Sequence, residues 1–421
     1  MTLRRSRLHF TSRIASSLIT TAVLWGCNRS TPTLRQDVAA VPTVVDAAEG
    51  PLDAATDDRA LLAKYECNRC HDGTGLPAPP MSQQCVGCHQ SIAARTFSAT
   101  STLLTKWDRN IVHLRQVPSL LGIGARYKRD WVEAYLQDPY DQRPHVGASM
   151  PRLAYAKGEA ARLARVLVPH DEPGGLARTA NAERGRALIE SARCGQCHTA
   201  TFSPQLRDQP SVAEPRLLRR GVALAPDLRF VREKWRPAAL IAWLTDPKRI
   251  KADTDMPKPD LSESDTQDVA AYLIRGELAP RNRAAAPERL PVLTRQVSFA
   301  EVERRVLKKT CWHCHSDPDF ALGDGGPGNT GGFGFRAIAL NLSTHEGIMS
   351  GALDEAGQRA SIFRMTNGSP RIIAALMARH SEDAGSPVSN VRGMPLGLPP
   401  LALEEIQLVE TWVTQGRHSD R

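Results

Sequence analysis

Aromatic residues make up only 5% of the 421-residue chain. Domains this poor in rings are expected to fill their centres partly with something other than side chains. Strand-like alternation of apolar and polar residues is nearly absent, so the periodic stretches predict an all-α class with long loops. No block of lysine and arginine is interleaved with aromatics, which argues against a nucleic-acid partner despite a formal charge of +9. Beyond the first 26 residues no apolar run is long enough to cross a bilayer. The remainder is therefore expected to be soluble and outside the cytoplasm.

The first 27 residues contain no acid. "MTLRRSR" is a basic n-region and "IASSLITTAVLWG", Ile14 to Gly26, an apolar h-region too short to span a membrane, so residues 1–27 predict an export signal. Its removal takes away Arg4, Arg5, Arg7 and Arg13 and leaves +5. The segment ends at Cys27, the one cysteine of nine outside a pair. "Leu24-Trp25-Gly26-Cys27" resembles the lipobox of bacterial lipoproteins, from which Trp25 departs. That resemblance implies a lipid-modified Cys27 and attachment to a membrane.

Residues 28–56, rich in Ala, Pro, Thr and Asp, predict a flexible tether. Turn-rich stretches at 170–181 and 279–291 then divide the chain into blocks at 57–170, 181–278 and 297–418. An internal repeat supports the division. "VPSLLGIGARYKRDWVEAYLQDP" aligns with "APDLRFVREKWRPAALIAWLTDP", with twenty residues from Pro118 to Asp138 and twenty from Pro226 to Asp246. Met150-Pro151 and Met256-Pro257 follow after loops that differ by two residues. One fold used twice is expected.

The cysteines carry the chemistry. They form Cys67/Cys70-His71, Cys85/Cys88-His89, Cys194/Cys197-His198 and Cys311/Cys314-His315. The first two pairs stand fourteen residues apart, a spacing that would suit one four-thiolate zinc ion. A zinc knuckle, however, places no demand on the next residue. Haem attachment does, because two thioethers bind the vinyl groups while the adjacent histidine reaches the iron. All four pairs carry that histidine, in a chain with only twelve. No βαβ pattern surrounds any pair, so a thioredoxin-like site fails. Four covalently bound haem c groups are expected.

These residues resemble the class I cytochrome c family, in which a helix runs into Cys-x-x-Cys-His, a Met-Pro loop faces the far side of the haem, and a closing helix packs on the first. Block two follows the pattern with Cys194, Cys197, His198 and Met256, and with Gly185 and Tyr272 where the terminal helices would cross. Block three resembles cytochrome c domains of multihaem proteins, from "SFAEVERRVLKKTCWHCH" to "GMPLGLPPLALEEIQLVETWVTQG". The expected architecture is a tandem of class I cytochrome c-like domains: dihaem at 57–170, monohaem at 181–278 and at 297–418.

Each haem also needs a decision about its far face, where a protein ligand makes a carrier and an open position permits catalysis. Met256, fifty-eight residues beyond His198 in a polar loop, is the candidate for block two. In block three it is Met394, with Met349, Met365 and Met377 in helix-like stretches and His345 as rivals. His313, inside the attachment motif, points away from its own iron and reads as a surface residue. In block one the helix leading into Cys67 favours Met150 for His71. The thirty residues from Cys88 to Pro118, against twenty-nine from Cys197 to Pro226, favour His89 instead. The other haem would take His113, with His145 and Met81 behind it.

The functional expectation is an exported tetrahaem electron carrier, lipid-anchored on the periplasmic side of a bacterial membrane or held in the cell envelope. Its partners would be other redox proteins or a membrane electron-transfer complex. The competing expectation is a haem oxidoreductase, of peroxidase type or a subunit of a larger complex, with one open iron. Block three, with its Gly323–Phe335 insertion, is where that iron would be.

Overall fold

A computed structural model describes residues 52–111, 114, 116–140, 142–145, 150–170, 175–201, 206, 220–276, 285–316, 338–354, 356–388 and 390–419. Cys27, His113 and the Gly323–Phe335 insertion lie outside the described residues. The segment Pro51–Arg421 forms one contact unit, so the three sequence blocks can be described together.

The class is all-α, as the lack of alternation predicts. Among the described residues the strands are four pieces of two residues each, paired as Ala352–Leu353 with Arg359–Ala360 and Met365–Thr366 with Ser369–Pro370. No described helix is long and apolar enough to cross a membrane.

Block two shows how local sequence sets the frame. Asn181 caps the Ala182–Ser191 helix by accepting from the amides of Glu183 and Arg184. Pro237, in the first turn where its missing N–H costs nothing, opens the Pro237–Thr245 helix. Ser262 and Asp265 cap the Glu263–Arg275 helix reciprocally, and Gly276 follows its last residue. The sequence reading of three helices was short by the single-turn pieces Arg220–Leu224, Val231–Lys234 and Pro247–Ile250. Pieces of four or five residues are too brief to show a 3.6-residue period.

The terminal helices Ala182–Ser191 and Glu263–Arg275 cross over Ile189, Val269, Ala270 and Leu273. In block one the Leu52–Lys64 helix packs on Glu159–Leu167 in the same way, around Leu61, Leu62, Leu163 and Ala164. That first helix begins inside the stretch expected to be tether, which ran to residue 56. Between the first motif and Pro118 a second pair of helices, Cys85–Ala93 and Ser101–Asn110, closes a small core of its own over Ile92, Leu104, Trp107 and Ile111.

The internal repeat recurs in the packing. Tyr127 and Trp235 occupy equivalent positions in the alignment and are paired in space as an antiparallel bridge. The Lys128 amide donates to the Lys234 carbonyl and the Arg236 amide to the Arg126 carbonyl, both at 2.9 Å. Residues 126 and 128 are the equivalents of 234 and 236, so the two bonds are one contact made twice about an approximate two-fold axis. The rings of Tyr127 and Trp235 meet edge to face at 5.3 Å, with the Lys234 ammonium 4.2 Å from the Tyr127 ring.

Block three closes around Val302, Val306, Ile373, Ile406, Val409 and Trp412. Its opening helix changes winding: Phe299–Val302 is α-helical, and Glu303–Cys311 continues with wider i→i+5 turns. The Arg371–Asp383 and Leu403–Thr414 helices pack against each other and complete the block.

Candidate haem sites

The first and third motifs are presented by one backbone device. A helix ends, a single residue turns left-handed, and the first cysteine starts a tight 3₁₀ turn. Glu66 (φ 47°) precedes Cys67–Arg69, and Arg193 (φ 56°) precedes Cys194–Gln196. Left-handed backbone is uncommon outside glycine, so its recurrence at equivalent places marks a required geometry. In both turns the histidine amide donates to the first cysteine's carbonyl, at 2.9 Å for His71 and 3.0 Å for His198.

Each of these imidazoles is oriented from behind. His71 Nδ1 lies 2.8 Å from the Pro118 carbonyl and His198 Nδ1 lies 2.9 Å from the Pro226 carbonyl. A carbonyl only accepts, so Nδ1 carries the proton and Nε2 keeps its lone pair for a metal. Burial lowers the pKa of both rings, and it lowers that of His315 to about 4, against a hydrogen bond to the Leu340 backbone that raises it. Neutral imidazole is the form that ligates. The pairing of His71 with Pro118 removes the spacing argument for the second motif, since Pro118 belongs with the first.

The thiols of three motifs are held in desolvated surroundings. Burial pushes Cys67 and Cys88 up to about 11, and Cys311 and Cys314 up to about 12. Among the described residues no group of three or more His, Cys, Asp or Glu is gathered as a metal ion would require.

Each of the three larger cores has a methionine packed on it, and the block-three core has two, Met377 and Met394. Met150 packs on the block-one core together with Cys67, Met256 on the block-two core with Cys194, and Met394 on the block-three core with Cys311. Trp243 donates from Nε1 to the Met256 sulfur at 2.9 Å, a contact the sequence reading did not foresee. The Met394 amide donates to the Ala375 carbonyl at 2.9 Å. Of the rivals, Met365 lies in a two-residue strand and is 67% exposed, not in a helix. Met349 and Met377 are in helices, and His345 gives its Nε2 to the Arg417 carbonyl at 2.7 Å.

The second motif is built differently. Cys85, Cys88 and His89 lie on the regular Cys85–Ala93 helix, and His89 is buried. Cys88 packs on the small core, among whose described members there is no methionine. Met81 is exposed, and His145 has a buried Nε2 with no hydrogen-bond partner. Three motifs converge here. The Cys70 thiol donates to Cys85, Cys314 feels the charges of Cys85 and Arg69, and the His89 and His313 rings face each other with centroids 6.3 Å apart. His313 is exposed, as expected, and desolvation lowers its pKa.

Residues 182–275 match the family model described as Cytochrome c. This block is a cytochrome c domain, and covalently held haem c and electron transfer go with it. No curated protein and no solved structure matches the chain.

Proposed function

We propose that the protein is an exported tetrahaem c-type cytochrome that carries electrons between redox partners. The observation that carries this reading is the threefold recurrence of one constellation. In each of three cores a motif cysteine packs on the same buried surface as a methionine, with Met377 beside Met394 in block three, while the histidines are desolvated. On this reading Met150 completes the site of His71, Met256 that of His198 and Met394 that of His315. The haem on His89 takes a histidine, of which His113 is the sequence candidate.

Haem supplies one-electron redox chemistry when bound; the chain tunes and protects it. Thioether ligation raises potential and a second imidazole lowers it, so block one would contain a potential step. Backbone carbonyls hold the imidazoles of His71 and His198 that would bind haem, and the apolar cores would keep water from it. The leader and the lipobox-like Cys27 support a lipid-anchored protein on the periplasmic side of a bacterial membrane. Its partners would be soluble redox proteins or a membrane complex.

Intact mass with a pyridine haemochrome assay tests the haem count. Four haems are expected, and three after Cys194→Ala with Cys197→Ala; stoichiometric zinc in place of haem would sink the proposal. Carbon monoxide separates carrier from enzyme. The fully reduced protein should bind little, and one molecule per chain would put the oxidoreductase reading ahead.

A further inference from the structure

Among the described residues the small core around the second motif has Cys88 packed on it and no methionine, and the ring facing that of buried His89 comes from block three. His89 lies on the Cys85–Ala93 helix of block one. His313 stands between the two cysteines of the last motif, in "Cys311-Trp312-His313-Cys314-His315". The chain separates these histidines by more than two hundred residues, yet their ring centroids are 6.3 Å apart with planes inclined at 32°.

That span has a chemical reading. A metal–imidazole bond is about 2 Å long, and the ring centre lies about 1.1 Å beyond the bonding nitrogen, so an iron between two imidazoles separates their centres by about 6.2 Å. Two rings attracted only to each other would also be allowed from about 4.5 to 7 Å, so distance alone does not decide. The surroundings do. Trp312 is buried in the block-three core and donates to the Leu342 carbonyl at 2.9 Å, so its neighbour His313 is turned out of that core. It is turned toward block one, where its ring meets that of His89. Arg152 and Glu382, 4.0 Å apart, join the Met150 loop of block one to the helix beside Met394, because Glu382 also accepts from the Gly393 amide at 2.7 Å.

We propose that His313 is the sixth ligand of the haem attached through Cys85, Cys88 and His89, so that block three completes a site carried by block one. The inference rests on the tetrahaem reading above. Its consequence is structural and electronic together. His313 would hold one iron while His315, two residues on, holds the next, so the electron lost by one of these haems is gained by the other across a three-residue bridge. It also gives the "x" position of the last motif a function that attachment alone does not need.

The test uses the full-length holoprotein and the variants His313→Ala, His313→Met and His113→Ala, each first checked by mass for four haems. In the wild type, electron paramagnetic resonance should contain a rhombic low-spin signal from two imidazoles with inclined planes. His313→Ala should lose that signal, leave the red methionine–iron band unchanged, and raise carbon monoxide binding by the reduced protein from near zero to one per chain. His313→Met should close the site again, raise that haem's potential, and add to the methionine band. The same holds as a positive result if only His313→Met folds. An intact bis-imidazole signal in His313→Ala or His313→Met overturns the proposal, and its loss in His113→Ala would give the ligand to His113. A mass lacking haem on Cys85 and Cys88 overturns both this inference and the tetrahaem count, and so is distinguishable from failure of the ligand alone.

Discussion

Gly185→Ala is the sharpest probe of the cytochrome c domain. Gly185 sits in the Ala182–Ser191 helix where the Glu263–Arg275 helix crosses it. A methyl carbon there would lie 1.9 Å from the Asp268 carbonyl oxygen, 2.5 Å from its carbonyl carbon and 3.0 Å from the Val269 nitrogen. All three are backbone atoms of a helix and cannot swing aside. Ordinary C···O contact is about 3.3 Å, so the helices must part by roughly 1 Å. A gap of that size forfeits about a quarter to a half of the dispersion energy across the seam, which includes Ile189, Val269 and Leu273. Overpacking costs about 1–3 kcal/mol, and rigid backbone on both sides puts this site near 3. Alanine's better helix propensity returns about 1 kcal/mol, leaving a net loss of about 2. For a domain of this size that lowers Tm by roughly 8–16 °C. The assay is a thermal melt followed by helical circular dichroism and by the methionine–iron band. Gly175→Ala, which meets nothing within 4 Å, is the control and should stay within about 0.5 kcal/mol. A Gly185→Ala protein as stable as the wild type, or more so, would refute the crossing.

Trp243→Phe removes the hydrogen bond to the Met256 sulfur. A bond of about 1 kcal/mol that draws density from the thioether corresponds to about 40 mV in a one-electron couple, so one haem's potential should fall by that order while its red band persists. Met256→Ala should remove part of that band and open one haem to carbon monoxide; an unchanged band would remove Met256 from the site. Met394→Ala should do the same for a different haem, additively with Met256→Ala. Glu159, held down near a pKa of about 2 by hydrogen bonds first from Lys64 and then from Tyr65, gives an acid-sensitive anchor. Its pKa is lower folded than unfolded, so the stabilisation is full above about pH 4.3 and disappears as the pH falls toward 2. Glu159→Gln should lower the urea midpoint at pH 7 and flatten its fall between pH 4.5 and 2.5. An unchanged slope would show that the anchor does not act.

The cytochrome c domain of block two was legible because its attachment motif is local and capping is a local code. Ser262, Gly276 and Pro237 could be read without knowing their neighbours. The role of Gly185 was legible only through the resemblance, since a glycine inside a helical period otherwise predicts a weaker helix. The position of Pro118 left two assignments of Met150 open. Counting residues back from it gives nearly the same interval to Cys88 as block two has to Cys197, although the chain from Cys85 to Asn110 forms two helices with a core of their own. Only the carbonyl contact to His71 separates the two. The wide winding of Glu303–Cys311 had no signal, since i→i+5 bonds are chosen by packing and not by any one residue's propensity.

The contacts between blocks were least visible, for a reason that applies to His313 and Tyr127 alike. Amphipathic periodicity reports which face of an element is covered, not by which distant segment. A histidine inside an attachment motif must turn from its own iron, and that geometry alone suggests surface. It suggests a ligand only once a second motif is known to lie opposite. For Tyr127 the repeat itself contains the missing information. Equivalent residues of two copies that pack about a two-fold axis meet each other or meet each other's neighbours, so Tyr127 against Trp235 is the contact a duplicated domain makes when its copies face one another. Each copy then depends on the other for one backbone bond at 126–128 or 234–236. A substitution that blocks the bridge at either position should therefore loosen both halves, and the haem sites of His71 and His198 should respond together.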